Sequence, residues 1–172
     1  GAIASVDDFI LPYFSDYLPI KNLDANKRRI RVRDLLTMTA GFDSEDETPG
    51  SVGNEDKLDA LSSDWVRYSI DVPMINRPGT KWAYSSMNTF LLGYIIEQAT
   101  GESLDVFAQE NLFGPLGIKR IQWRHTPQGR VVAQGNFKIS SRDMAKIGQL
   151  ILDSGVYGGK RIVSSEWITA ST

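Results

Sequence analysis

The chain has no cysteine and a single histidine in 172 residues. The first absence excludes disulfides and thiolate metal sites. It leaves the redox compartment unread, since a cysteine-free protein suits any. The second excludes a metal centre built from several histidines. No apolar run approaches the ~20 residues of a membrane-spanning helix, so no membrane span is expected. The net charge of −2 and pI near 5.4 lack the concentrated positive face that nucleic acid demands, so no nucleic-acid partner is expected. The opening GAIASVDDFILPYF has no basic start and turns acidic at once, unlike a secretory leader.

The common catalytic signatures are missing too. There is no Gly-x-Ser-x-Gly elbow, no Ser-x-x-Lys, and no Lys-Thr-Gly, Lys-Ser-Gly or His-x-Gly triplet. HExxH, Walker A and GxGxxG do not occur, and nothing calls for a cofactor. The acidic stretch 43–56, DSEDETPGSVGNED, reads as a polar loop. It lacks the alternate-ligand spacing and fixed glycine of a calcium loop, so no metal is expected. His125 stands beside Thr126 and Pro127, the setting of a surface turn histidine rather than a base.

What is present is an ordinary globular composition, 41% apolar and 23% charged, in a chain long enough for a real core. DDFILPYFSDYLP reads as a turn and a short aromatic segment broken by Pro12 and Pro19. KRRIRVRDLLTMTAGF starts as a solvated basic edge. It turns helical around Leu35, Leu36 and Met38, and Gly41 stops it. A helix is expected over 58–70, carrying Leu61, Trp65, Tyr68 and Ser69. Pro78-Gly79 marks a tight turn.

The most apolar helix is expected over Met87–Ala99, with Ser85 or Ser86 as N-cap and Gly101 as its end. Its apolar positions cover most of the circumference, which places it centrally, and Gly93 permits a close neighbour. A second helix starts at Ser103, and two short strands flank a Pro-Gln-Gly turn near residue 128. SSRDMAKIGQLILDSG reads as an amphipathic helix capped at Ser140, with Met144, Ile147, Gly148 and Ile151 on one face. A hairpin turns on Gly158-Gly159. SSEWITAST reads as the start of another helix.

Tyr84, followed by two serines at the mouth of the apolar helix, is the candidate for chemistry. A free tyrosine has a pKa of ~10, so about one in a thousand is ionised at neutral pH. It serves as a base only where cations hold the phenolate. One ammonium at ~4 Å contributes roughly 4 kcal/mol at an intermediate dielectric, or ~3 pKa units. Lys81 is the only lysine nearby in sequence, and its place on the turn points it to solvent. The alternative is a buried aromatic that only packs beneath a core helix.

Three stretches occur in order: IRVRDLLTMTAGF, RPGTKWAYSSMNTFLLGYIIEQATGESLDVFAQENLFGPLGI and ISSRDMAKIGQLILDSGVYGGKRIVSSEWI. Together they resemble the middle of the serine β-lactamase-like family. That family includes class C β-lactamases, low-molecular-mass penicillin-binding proteins, related esterases and the amide hydrolases of 6-aminohexanoate oligomers. Its second motif is Tyr-x-Asn, or Tyr-x-Ser in some branches; here it reads Tyr84-Ser85-Ser86.

The resemblance implies that Tyr84 shuttles protons for a nucleophilic serine, with Ser86 at the hydrogen-bonding third position. The serine there is closer to the esterase and amidase branches than to true β-lactamases. Asn88 matches a polar position of the same helix start, read either as a substrate contact or as a residue satisfying local backbone.

By the same resemblance the nucleophile motif would precede residue 1 and the third motif would follow residue 172. The expected fold is therefore mainly α with short β-hairpins: the helical half of the β-lactamase/transpeptidase-like α/β fold, its central sheet largely missing. Residues 1–172 would form a single helical subdomain of a larger serine hydrolase, inactive alone. Its partners would be a small ester, amide or β-lactam substrate and the remainder of the fold, with self-association where that remainder is absent. A non-catalytic binding module on the same fold is the alternative. An unrelated helical interaction domain would bury Tyr84 on all sides.

Overall fold

The computed structural model describes residues 2–61 and 63–172, without the side chain of Leu61. Leu61's expected packing, and Ser62, thus lie outside the described residues. The chain divides into two compact units. The first joins Gly1–Leu104 with His125–Gly135; the second joins Asp105–Arg124 with Asn136–Thr172. Helices dominate, and the only sheet among the described residues is a two-stranded hairpin. The mainly helical reading is what the structure shows.

The first unit is organised by four helices: α1 (Val32–Leu36), α2 (Glu55–Leu61), α3 (Trp65–Asp71) and α4 (Ser86–Thr100). Helix α4 is its centre and packs against α1 and α3. Met87, Phe90, Leu91, Tyr94 and Ile95 are all buried, on a helix apolar nearly all round. At roughly 1.5–3 kcal/mol for each large side chain removed from water, this one helix anchors most of the unit.

Trp65 meets Phe90 edge-on at 5.7 Å, and Phe14 meets Tyr94 at 5.1 Å. Gly93 is required by close approach: a Cβ there would lie 2.5 Å from the Ala133 Cβ. Gly101 ends the helix in the left-handed region (φ 75°).

Three local expectations fail for identifiable reasons. The helix expected over 58–70 is two helices, because the Asp64 carboxylate accepts from the Arg67 amide at 3.0 Å and starts a new one. Helix α1 stops at Leu36, and Met38 lies outside it with φ 57°. The strands around Pro-Gln-Gly reduce to isolated bridges, His125 with Val131 in the first unit and Gln122 with Lys138 in the second. The basic cluster behaves as a solvated edge only in part: Arg31 and Arg33 pair with Asp7 at 3.6 and 2.6 Å, whereas Lys27 at its start is fully buried.

The second unit holds α5 (Leu104–Ala108) from Asp105 onward, which continues as a π turn over Gln109–Phe113, and α6 (Ser141–Leu152). The hairpin β1 (Val156–Tyr157) and β2 (Lys160–Arg161) and helix α7 (Ser165–Ser171) complete it. Its core is small: Phe113, Leu116, Ile118 and Leu150. Ser140 caps α6, its hydroxyl accepting from the Asp143 amide at 3.1 Å. The expected apolar face is only partly covered, since Met144 and Ile151 are exposed and Leu152 is 79% exposed.

Candidate active site

Tyr84 stands at the mouth of α4, 46% exposed, while the four residues after it are 5% exposed or less. A half-open phenol thus rises from a buried base. Its hydroxyl has no hydrogen-bond partner among the described residues. This placement differs from that of a packing aromatic, sealed on all sides beneath a core helix. Trp82, two residues earlier, is 62% exposed on the same segment.

The base is built by two segments. On one side the Ala83 amide donates to the Met38 carbonyl at 2.9 Å, tying the approach to α4 onto the chain after α1. The Gly79 amide does the same to the Thr39 carbonyl at 2.9 Å, and Gly79 has φ 79° in the turn that Pro78 begins. On the other side lies the acidic stretch 43–56, and it is not a loose loop. Ser44, Ser51 and Asn54 are buried within it.

Ser85 is the N-cap of α4 by backbone, yet its hydroxyl makes no capping bond. It is hydrogen-bonded to the Ser44 hydroxyl, which in turn donates to the Gly53 carbonyl at 3.0 Å. The capping acceptor comes from elsewhere: the Ser86 amide donates to Asp46 Oδ2 at 2.7 Å. A carboxylate at a helix N-terminus satisfies an orphan amide and complements the positive end of the macrodipole.

Ser86 is buried, and its hydroxyl donates to Glu55 Oε2 at 3.1 Å. With its proton committed there, Ser86 has only acceptor lone pairs for any further contact. Asn88 is also buried. Its Nδ2 lies 3.7 Å from Met38 Sδ, and its Oδ1 has no partner among the described residues. Beside it is a cavity of about 10 Å³ that Lys81 and Asn76 also line. That volume holds about one water molecule.

The structure therefore brings Tyr84, Ser86 and Asn88 to one helix start, with only the tyrosine open to solvent. Sequence reasoning missed Asp46, Glu55 and Ser44. The available signal was a polar stretch of fourteen residues that reads as a loop yet is dense in capping residues, a length uncommon for a loop unless it is functional. His125 is exposed in its turn, in the first unit, and takes no part. Among the described residues no three histidine, aspartate or glutamate side chains converge as a metal site would require.

Comparison with known proteins supplies the context for this arrangement. The sequence profile described as Beta-lactamase matches residues 4–172. A provisionally described D-alanyl-D-alanine carboxypeptidase of Escherichia coli O157:H7 is 31% identical over 118 residues, covering 65% of this chain and 26% of that protein. An N-acetylmuramyl-L-alanine amidase of Bacillus subtilis is 31% identical over 121 residues, covering 69% of this chain and 26% of the amidase.

A structure provisionally described as a 6-aminohexanoate-dimer hydrolase from Bacillus anthracis superposes with a TM-score of 0.80 at 19% identity. It covers 98% of this chain and 46% of its own. That likeness establishes the fold. The chain spans about half the length of that structure, and its matches to the curated relatives span about a quarter of theirs.

Proposed function

The chain belongs to the Beta-lactamase family, and from that premise we propose that it supplies the helical wall of a serine-hydrolase cleft, with Tyr84 as the proton-transfer group. The observation that carries this is the half-exposed Tyr84 phenol on a buried, hydrogen-bonded base at the start of the central helix.

The proposed reaction is a two-step acyl transfer on a small amide, ester or β-lactam. A serine, outside these 172 residues, attacks the carbonyl and forms an acyl-enzyme, which water then hydrolyses. Tyr84 takes the serine proton and returns it to the leaving group, acting as base and then acid. Backbone amides on the missing wall hold the oxyanion. Amides are the favoured substrates, because the similar curated proteins named above are described as a carboxypeptidase and an amidase.

Ser86 fits the third position of the Tyr-x-Ser motif, offering lone pairs while its hydroxyl donates to Glu55. Asn88 is assigned to the floor of the site rather than to substrate, since it is 3% exposed. The exposed Met144, Ile151, Leu152 and Trp167 of the second unit are assigned to the contact with the remainder of the fold.

The test uses the complete reading frame that encodes this chain, assayed with p-nitrophenyl butyrate and nitrocefin. Tyr84→Phe is expected to lower kcat by about 100-fold or more with KM little changed. A Tyr84→Phe enzyme as fast as the parent removes the assignment. The 172 residues alone are expected to show no turnover above buffer, and turnover there places the nucleophile within this chain.

A further inference from the structure

The acidic stretch 43–56 touches the tyrosine motif at every residue. The Asp46 amide donates to the Tyr84 carbonyl at 3.0 Å. The Ser44 hydroxyl meets that of Ser85. The Asp46 carboxylate accepts from the Ser86 amide, and Glu55 accepts from the Ser86 hydroxyl. The other Asp46 oxygen accepts from the Glu55 amide at 3.1 Å. One carboxylate therefore bridges the first residues of two helices, α2 and α4.

The stretch is itself held rigid. Asn54 Nδ2 donates to the Asp46 carbonyl at 2.8 Å, and the Gly53 amide to the Asp43 carbonyl at 2.8 Å. Its outer end is tied to the Pro73 carbonyl through the Asp43 amide at 2.8 Å. Gly53 permits this closeness: a Cβ there would lie 2.8 Å from both Met87 Sδ and the Ser44 Cβ. Tyr84's own ring is held by no hydrogen bond among the described residues. The backbone at 83–86 that carries the phenol is fixed by Met38 from one side and by Asp46 from the other.

We propose that Asp46 is the positioning residue of Tyr84, its carboxylate locking the start of α4 to the start of α2 so that the phenol is presented in one direction. The inference rests on the catalytic assignment of Tyr84 made above. Asp46 touches no substrate in this account; it acts through the backbone that carries the tyrosine. A misplacement of ~1 Å at a reacting group lowers turnover by about 100-fold, which is the scale expected when the lock is removed.

The experiment compares Asp46→Ala, Asp46→Asn, Tyr84→Phe and Glu47→Gln in the complete protein. The readouts are ester hydrolysis, amide hydrogen exchange at residues 84–88 and thermal melting. Glu47 is exposed in the same stretch and serves as the control, with kcat unchanged. Asp46→Ala should lower kcat by about 100-fold while KM moves less than about twofold. It should speed exchange at the Ser86 amide before any other part of α4.

Asp46→Asn keeps the shape but turns one acceptor into a donor, and should fall between the parent and Asp46→Ala; it remains informative if the alanine variant does not fold. Parent kcat in Asp46→Asn and in folded Asp46→Ala, where Tyr84→Phe is inactive, overturns this inference alone. So does a kcat loss that merely tracks the unfolded fraction. An active Tyr84→Phe overturns the assignment beneath it instead, and the exchange data then still report whether the lock exists.

Discussion

Lys27 offers a perturbation whose size follows from the structure. Its side chain is fully buried, and Nζ donates to the Lys21 and Ile70 carbonyls at 2.9 Å each. The ammonium lies 5.7 Å from the centre of the Phe42 ring. No carboxylate pairs with it among the described residues. Burial therefore dominates and pushes its pKa down from 10.5 to about 8, with Asp71 and Asp24 opposing weakly.

The sign follows from proton counting. Between about pH 8 and 10.5 the unfolded chain holds a proton here that the folded chain has released, so stability rises with pH through that window. The whole gap corresponds to roughly 3 kcal/mol, of which about 2 kcal/mol is recovered between pH 7 and 9.5. Lys27→Met removes the titration and keeps the apolar stem. It leaves two carbonyls without that donor, at about 1–3 kcal/mol each, so the variant gains no net stability at pH 7.

The assay is urea unfolding followed by tryptophan fluorescence at pH 7, 8, 9 and 9.5, read as the difference between parent and variant. Tyr94, whose pKa burial pushes up to about 12, titrates outside this range and cancels in that difference. The difference should shift toward the parent by about 2 kcal/mol across the window. Parallel profiles would mean that the ammonium is solvated or paired, and the reasoning fails.

Gly93→Ala should destabilise by about 1–2 kcal/mol in denaturant, because the new Cβ meets Ala133 at 2.5 Å and Leu104 at 3.2 Å, outweighing the better helix propensity. Gly41→Ala should lose about 2 kcal/mol or more, since φ is 88° and the Cβ would sit 2.4 Å from the Asn76 carbonyl oxygen; an unchanged melting temperature refutes this. The 172 residues alone should self-associate in light scattering, through apolar positions such as Leu152 and Met144. A monodisperse monomer would speak against the assignment of that face to a missing wall.

Helix α4 was legible because everything that defines it is local. The apolar residues, the stop at Gly101 and the small residue at Gly93 all fall within one stretch. The Ser140 cap and the Gly158-Gly159 turn, with φ of 56° and 79°, were legible for the same reason. What failed was the partner of the helix start. A local rule gives the capping oxygen to Ser85 or Ser86, but the acceptor is Asp46, forty residues away. Ser85 could leave its usual role only because that distant carboxylate had already satisfied the Ser86 amide.

The same non-local step hid the state of Tyr84. An aromatic before a core helix reads alike whether it packs or projects, and only the tight polar support beneath it decides. Residues 43–56 read as a polar loop because their polarity matches that of a solvated one. Three of those polar side chains are nonetheless buried, and a buried polar group persists only where it is bonded. The acidic stretch is therefore better understood as part of the α4 start than as a connection between helices. Its charge and its glycine at 53 are what a carboxylate lock placed against Met87 and Ser86 requires.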